Sequence, residues 1–259
     1  MIKESLDRFF ALGYLGSDPT QLKCRASVCS SHDSNYFDYI VLLSITIQER
    51  LIYMLFETGD RVIFIGDSIT DSGRRQDSEG IGDGYVRMIR DYLHENASQF
   101  KLEIINKGIS GNRVSDLASR WEEDVLELQP DWVSVSIGIN DVWRQLDRPS
   151  IEQIYPKQFE EIYMKLLTQL KEKTKAKIIL MEPTIIEEEE KSEGNHMLIP
   201  YVEAVRRLAE SFNAILVSTN KVFLEHLHNH PDVILTKDGV HMNDSGNKLM
   251  VETWLNAIK

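Results

Sequence analysis

The sequence predicts an α/β fold in which helices cover both faces of a central, parallel, five-stranded sheet. Two patterns support this prediction: short runs rich in β-branched residues, and intervening segments whose apolar residues recur every three or four positions. A third observation is size, because 259 residues, 42% of them hydrophobic, can bury a core large enough to hold a site rigidly. Strands and helices that alternate in this way are joined by right-handed crossovers, so the sheet is expected to be parallel and buried.

Five buried strands are expected from residue 60 onward. They share a continuous apolar character, and they cover residues 61–65, 102–105, 132–137, 177–181 and 214–217. Helical periodicity fills the intervals, over residues 85–93, 114–128, 159–170 and 202–212. A final helix over residues 245–258 follows Asn243 and Asp244, and either of these side chains can cap it.

The chain is acidic, and its charge limits the partners to be expected. It carries 29 Lys and Arg against 41 Asp and Glu, which gives a formal net charge of −12. A charge of this sign repels nucleic-acid backbones and anionic membrane surfaces, so neither is an expected partner.

The first residues lack the uninterrupted apolar core of a secretory signal. The most apolar stretch, residues 39–56, is interrupted by Gln48, Glu49 and Arg50, which favours a buried or surface-docked helix over a membrane span.

Two cysteines, Cys24 and Cys29, are the only ones in the chain. A single pair at this spacing, with no second pair or histidine cluster nearby, cannot complete a zinc site. We expect free thiols in a reducing cytosol, which makes the cytoplasm the expected location. A disulfide between the two residues is the alternative.

The residues that follow the predicted strands differ from ordinary loops. Ligands of a parallel sheet bind beyond the carboxyl ends of its strands, so a site is expected at these positions. Each of the first three strands ends in a polar motif that contains glycine, and a fourth such motif precedes the last helix. The motifs are Gly66-Asp67-Ser68, Asn106-Lys107-Gly108-Ile109-Ser110-Gly111-Asn112, Gly138-Ile139-Asn140-Asp141 and Asp238-Gly239-Val240-His241.

Together these motifs contain the groups that a serine esterase needs. Ser68, on a tight turn after a strand, is the predicted nucleophile, His241 is the predicted base, and Asp238 can orient the second ring nitrogen of that base. The backbone N–H groups of Ser68 and Gly108, with the side-chain amide of Asn140, are the predicted oxyanion donors. Taken singly, the motifs are more typical of turns and helix caps. Their occurrence in order, at one edge of one sheet, favours catalysis.

These motifs resemble the four sequence blocks of the SGNH hydrolases, also called the GDSL esterase and lipase family. The match runs from about Met54 to the carboxyl terminus and keeps the family's spacing between motifs. Longer stretches are similar to a bacterial carbohydrate-esterase branch that includes intracellular acetylxylan esterases. These stretches are residues 106–112, 120–125, 130–134 and 138–144.

The resemblance implies a three-layer α/β/α sandwich of the flavodoxin-like type. It also implies that no metal or other cofactor is needed, and that the reaction removes acetyl groups from sugar hydroxyls. The roles that it assigns to the nucleophile, base, orienting carboxylate and oxyanion donors are those stated above. One departure is Met242, where many relatives have proline, which implies a less rigid loop before the last helix.

Three further residues are candidates for substrate binding. Trp143 and Arg144 follow the third motif directly, and an indole beside a guanidinium suits stacking on a sugar face. Packing of Trp143 in the core or at a subunit contact is the alternative. Asp67 precedes the nucleophile and is the third candidate, whereas Asp71 is expected to have a structural role.

Two other signals are expected to have no role in chemistry. His226, His228 and His230 alternate, and alternate residues do not share a helix face, so an exposed helix end is favoured over a metal site. Four consecutive glutamates, residues 187–190, are expected to form a solvated loop rather than a cation site.

The resemblance also divides the chain. Residues 1–53 are expected to be an N-terminal extension of unknown role, and residues 54–259 the catalytic domain. The expected partner is a small-molecule or oligosaccharide acetyl ester, and relatives of this kind are often homo-oligomers.

Two other functions stay open. One is a lipase or lysophospholipase, which the wider family includes. The other is a non-catalytic glycan-binding protein, which the presence of every required side chain disfavours.

Overall fold

A computed structural model describes residues 55–259 of the chain. Cys24, Cys29, most of the apolar stretch at 39–56 and the predicted boundary between residues 53 and 54 lie outside these described residues. Among the described residues, none of the helices combines the length and apolar character needed to span a bilayer.

Five parallel strands form one sheet, as predicted. They are β1 (Arg61–Gly66), β2 (Glu103–Gly108), β3 (Trp132–Ser136), β4 (Lys177–Met181) and β5 (Ile215–Val217). Their order across the sheet is β2-β1-β3-β4-β5, and every neighbouring pair is parallel. The chain therefore moves outward on one side of β1 and then crosses to β3 on the other side. Such a switch point leaves a crevice at the carboxyl ends of β1 and β3.

Helices cover both faces of this sheet. In chain order they are α1 (Ser68–Asp71), α2 (Tyr85–Asn96), α3 (Val114–Trp121), α4 (Ile139–Asp147), α5 (Pro156–Lys173), α6 (Glu193–Phe212), α7 (Thr219–Asn229) and α8 (Asp244–Ala257). α8 packs against both α2 and α7 on one face, and α3, α5, α6 and α4 form a second connected group. The result is the predicted three-layer α/β/α sandwich.

Some elements differ from the sequence-based expectation. The helix expected over residues 114–128 is α-helical only to Trp121, and a π-helical segment, Glu122–Leu126, follows it. α6 begins at Glu193, well before the expected start at residue 202, although Pro200 lies inside it. Because proline disfavours a helix interior, the local sequence predicts a later start for α6 than the folded helix shows. α1 and α4 were not expected as helices of their own, and α7 was expected only as a helix end near residues 226–230.

The central strands are buried, and aromatic side chains connect them to the helices. Trp254 of α8 is fully buried, and its Nε1 donates a hydrogen bond of 3.1 Å to Ser134 Oγ on β3. Its ring also packs on Phe64 of β1, with the ring centroids 5.4 Å apart. The last helix is thus attached to the two strands that flank the crevice, and this attachment holds the loop before it close to that crevice.

Candidate active site

The nucleophile turn joins the end of β1 to the start of α1. Asp67 caps the helix, because its Oδ1 accepts a hydrogen bond of 3.0 Å from the Ile69 N–H. Ser68 is the first helical residue, and its own N–H makes no hydrogen bond within residues 55–259. The turn therefore presents both a hydroxyl and a free backbone donor at the carboxyl edge of the sheet.

Ser68, His241 and Asp238 form a continuous hydrogen-bonded chain. Ser68 Oγ lies 2.9 Å from His241 Nε2, and His241 Nδ1 lies 2.7 Å from Asp238 Oδ2. In the tautomer with its proton on Nδ1, the imidazole donates to Asp238 and accepts from Ser68. The structure thus brings together three side chains predicted to act together, although 173 residues separate the serine from the histidine.

The Asp238 carboxylate also holds the backbone of its own loop. Its Oδ1 accepts hydrogen bonds from the His241 N–H at 2.8 Å and from the Val240 N–H at 3.1 Å. Burial of Asp238 opposes ionisation, but these bonds and the ring contact with His241 outweigh it and lower the pKa of Asp238. The group facing the imidazole is therefore an anion at neutral pH, as an orienting carboxylate must be.

Asn140 is held in one orientation at the start of α4. Its side chain is buried, its Nδ2 donates to the Asn112 carbonyl at 3.1 Å, and its Oδ1 accepts from Arg144 Nη2 at 3.2 Å. The Arg144 guanidinium also pairs with Asp147. These contacts direct the amide donor of Asn140 toward the loop that follows β2.

Gly108 does not have the predicted role. Its N–H donates to Asn106 Oδ1 at 2.8 Å, so it is not available to an oxyanion. A Cβ at this position would lie 2.2 Å from the Asp71 backbone nitrogen. Glycine is required here because α1 packs directly on the end of β2, and not because substrate approaches.

Gly111, three residues later, is a better candidate for the missing donor. Its φ is +83°, and its N–H makes no hydrogen bond among the described residues. A Cβ there would lie 3.8 Å from Arg144 Nη2, the group that binds Asn140. The sequence contained a signal for this residue, namely the second glycine of the motif after β2, but the sequence did not show which glycine N–H is free.

Asp67 is also placed differently from the expectation that it contacts substrate. Its carboxyl group is buried under the turn, where it caps α1. Burial raises the pKa of Asp67 to about 7, although the Ile69 N–H and the charge of His241 act in the opposite direction. Asp71 has a structural role, because its Oδ2 accepts from the N–H and the hydroxyl of Ser110. Both carboxyl groups therefore support the loops of the site.

Trp143 lies against the proposed base. Its indole is half-buried, and the centroid of its ring is 5.9 Å from that of the His241 imidazole. The Arg144 guanidinium carbon lies 5.7 Å from the Trp143 ring centroid. The indole therefore packs on the imidazole, and Arg144, which binds Asn140 and Asp147, is not a free side chain awaiting substrate.

A cleft of about 320 Å³ opens beside the nucleophile. Ser68 and His241 form part of its wall. The remaining wall is mostly polar, and its polar side chains are Ser72, Asp83, Ser110, Lys237 and Asn247. The space is small and hydrophilic, which suits a short acyl group on a polar alcohol.

The histidine motif and the glutamate run, both expected to have no role in chemistry, differ in the structure. α7 ends at Asn229, His228 pairs with Glu190, and the described residues contain no group of three or more His, Cys, Asp or Glu arranged to hold a metal ion. The glutamate run is not merely solvated, because the Glu188 carboxylate accepts hydrogen bonds from the backbone of residues 235 and 236.

Comparison with known proteins agrees with this arrangement. The model of the GDSL-like lipase/acylhydrolase family matches residues 64–249. An acetylxylan esterase of Geobacillus stearothermophilus is 39% identical over 212 residues, which cover 79% of this chain and 96% of that enzyme.

Solved structures show the same similarity to ester hydrolases. The crystal structure of that esterase, Axe2, has a TM-score of 0.73 at 37% identity, again over 79% of this chain and 96% of Axe2. An α/β hydrolase from the metagenome of Lake Arreo, Spain, has a TM-score of 0.74 at 34% identity, over 79% of this chain and 97% of that one. Solved variants of Axe2 described as catalytic mutants replace a serine, an aspartate and a histidine three residues after the aspartate. This chain therefore belongs to the GDSL-like lipase/acylhydrolase family of ester hydrolases.

Proposed function

We propose that this chain is a serine esterase that removes acetyl groups from the sugar hydroxyls of xylo-oligosaccharides or related glycans. The observation that carries the proposal is the hydrogen-bonded chain of Ser68, His241 and Asp238 on the wall of a small polar cleft. The 39% identity to an acetylxylan esterase, over 96% of that enzyme, supports the choice of substrate.

Acylation begins with proton transfer from Ser68 to His241. The serine oxygen attacks the acetyl carbonyl carbon while His241 Nε2, 2.9 Å away, takes the hydroxyl proton. The Asp238 carboxylate holds Nδ1–H and stabilises the imidazolium that forms. The imidazolium then protonates the departing sugar oxygen, which leaves an acetyl group on Ser68.

The negative charge of the tetrahedral intermediate is held by hydrogen-bond donors at the sheet edge. The Ser68 N–H and the Asn140 amide are two of these donors, and the Gly111 N–H replaces Gly108 as the third. These donors are preorganised by the fold, so they stabilise the transition state without reorganising at the moment of reaction. In the second half of the reaction a water molecule attacks the acetyl group, again with His241 as base, and acetate leaves.

The cleft argues against long acyl chains. Its volume is about 320 Å³ and most of its lining side chains are polar, so a long alkyl chain would lie against hydroxyl, amide and charged groups. A lipase or lysophospholipase, in contrast, would retain activity on octanoate.

The decisive experiment measures acetate release from acetylated xylo-oligosaccharides by the wild type and by Ser68→Ala. We expect release by the wild type, a steep preference for p-nitrophenyl acetate over butyrate and octanoate, and a loss of at least ~10³-fold in turnover for Ser68→Ala. Equal rates on octanoate and acetate would identify a lipase-type enzyme. Calorimetric binding of the oligosaccharides without acetate release would identify a glycan-binding protein.

We also propose that residues 54–259 are sufficient for this activity. The family match at residues 64–249 supports this division. A chain that starts at Met54 is expected to fold and to hydrolyse acetyl esters, and failure of either would refute the division. We further propose a cytoplasmic location and self-association. Exposed apolar side chains such as Tyr155 and Ile234 support self-association, which light scattering of the purified chain would test.

A further inference from the structure

The two functional side chains of the loop that carries Asp238 and His241 are not themselves buried, although Leu235, Val240 and Met242 of this loop are. The Asp238 side chain is 49% exposed and that of His241 is 38% exposed. The loop is closed at its base by an antiparallel bridge between Thr236 and Met242. Within it, the Lys237 N–H donates to the His241 carbonyl at 2.7 Å. These local bonds shape the loop, and the buried apolar side chains anchor it in the core, but neither fixes the polar backbone on which Asp238 and His241 stand.

Glu188, in the segment after β4, attaches one end of the loop. Its Oε1 accepts hydrogen bonds from the Leu235 N–H at 3.1 Å, from the Thr236 N–H at 2.6 Å and from the Thr236 hydroxyl. One carboxylate oxygen therefore binds three donors at the point where the loop begins.

The contact continues into the centre of the loop. Thr236 Oγ1, which donates to Glu188, accepts a hydrogen bond of 3.0 Å from the Gly239 N–H. The Gly239 carbonyl in turn accepts a bond of 2.7 Å from the Glu187 N–H. Gly239 lies between Asp238 and His241, so the segment after β4 holds the loop at its start and between its two functional side chains.

The charge of Glu188 is what suits it to this position. Hydrogen bonds to an ionised acceptor are stronger than those to a neutral one, and an anionic oxygen accommodates three donors better than an amide oxygen does. The second oxygen, Oε2, is buried and has no hydrogen-bond partner within the described part of the chain. Burying that oxygen is costly, so the bonds made by Oε1 must outweigh the cost.

We propose that Glu188 is a positioning residue for the reaction, which holds the Asp238–His241 loop so that the imidazole reaches Ser68. This inference rests on the proposed function, because it assumes that the imidazole acts on that serine. It changes the interpretation of the acidic run at residues 187–190 from a solvated loop to a support for the base.

The first test compares Glu188→Ala and Glu188→Gln with Glu189→Ala, using p-nitrophenyl acetate. Glu189 is the matched control, because it is exposed and its side chain makes no hydrogen bond or ion pair within residues 55–259. We expect kcat to fall about 10- to 100-fold in Glu188→Ala with KM changed less than about twofold, since small displacements of a catalytic group cost this much. Glu188→Gln should fall between Glu188→Ala and the wild type, and Glu189→Ala should match the wild type.

A second pair of variants tests the same connection from the loop side. Thr236→Val removes the hydroxyl that links Glu188 to Gly239, while Thr236→Ser keeps it. We expect the valine variant to lose kcat and the serine variant to retain it. Because valine has nearly the shape of threonine, this pair decides the question even where Glu188→Ala does not fold.

A readout that needs no activity separates this inference from the proposed function. The proton between His241 Nδ1 and Asp238 gives a low-field proton NMR signal, identified by its loss in His241→Ala. We expect a sharp signal in the wild type and Glu189→Ala, and a broadened or absent one in Glu188→Ala and Thr236→Val. A sharp signal in both of these variants overturns the inference whatever their activity, as does unchanged kcat in both. A wild type that releases no acetate but keeps the signal would instead refute the proposed function alone.

Discussion

The two halves of this active site are positioned by different physical means. Asn140 and the Asp67 cap lie at the carboxyl ends of central strands, each with about 1% of its surface exposed, so close packing restricts them in addition to their hydrogen bonds. Asp238, on the other half, is about half exposed and is held by hydrogen bonds within and around its loop. A catalytic group can thus be placed by a close-packed core or by a polar network. The first means couples activity to folding stability, while the second leaves the two separable.

The largest effect is expected from Asp238→Asn, in the exposed half. An amide cannot stabilise the imidazolium, so kcat should fall about 10³- to 10⁴-fold. Because the side chain is exposed, the melting temperature should stay within a few degrees of the wild type. Steady-state kinetics and calorimetry measure both quantities. A large loss of stability here would show that the loop is part of the folding core, and the distinction between the halves would fail.

Asn140→Ala makes the matching change in the buried half. Removal of one oxyanion donor should lower kcat about 10²- to 10³-fold. The Asn112 carbonyl and Arg144 would also lose a partner, so the melting temperature should fall by several degrees. An unchanged melting temperature with reduced kcat would contradict the coupling proposed for this half.

Gly108→Ala tests whether packing alone positions the residues of the buried half. The added Cβ would lie 2.2 Å from the Asp71 nitrogen, so α1 must shift away from β2. We expect the free energy of unfolding, measured by urea denaturation, to fall by about 1–3 kcal/mol. Because α1 carries Ser68, kcat should also fall, but by less than in the two variants above. Full stability would mean that the contact between α1 and β2 is looser than the structure shows.

Trp143 lies between the halves, and its two interpretations predict different kinetics. If the indole only supports the imidazole, which it approaches to 5.9 Å, Trp143→Ala should lower kcat equally, by about two- to tenfold, on p-nitrophenyl acetate and on acetylated xylo-oligosaccharides. If it also stacks on sugar, KM should rise for the oligosaccharide alone. Trp143→Phe is the control that keeps an aromatic face.

The last effect concerns pH, and it belongs to the buried half. Burial raises the pKa of Asp67 to about 7 and that of Asp141 to about 8, from an ordinary value of 3.8. Between about pH 4 and 8 these two groups therefore bind more protons in the folded chain than in the unfolded chain. Their contribution to stability should be greatest at the acidic end and decline as pH rises, by at most about 1.4 kcal/mol per pH unit for each group.

Urea denaturation from pH 5 to 8 measures this decline, and Asp67→Asn, which keeps a capping oxygen, should make it shallower. Stability that increases through this range would contradict the burial of these two carboxyl groups.

Much of this arrangement was predictable from residue order. Continuous apolar runs predicted all five strands, and the polar motifs after them predicted that Ser68, Asn140 and His241 would meet at one edge. The serine, histidine and aspartate types at these positions limited the chemistry to acyl transfer. These features follow from local properties, since burial of apolar surface sets the periodicity of a strand or a helix and parallel strands bring their carboxyl ends together.

Other features depended on the folded chain. Gly108 and Gly111 lie in one short motif, yet the N–H of Gly108 donates to Asn106 and that of Gly111 has no partner within residues 55–259. Glu188 looked like part of a solvated acidic run, yet it binds a loop some 48 residues away in sequence. Two groups become hydrogen-bond partners of this kind only where the packed sheet and helices bring them within about 3 Å of each other. The order of residues along the chain does not contain these distances.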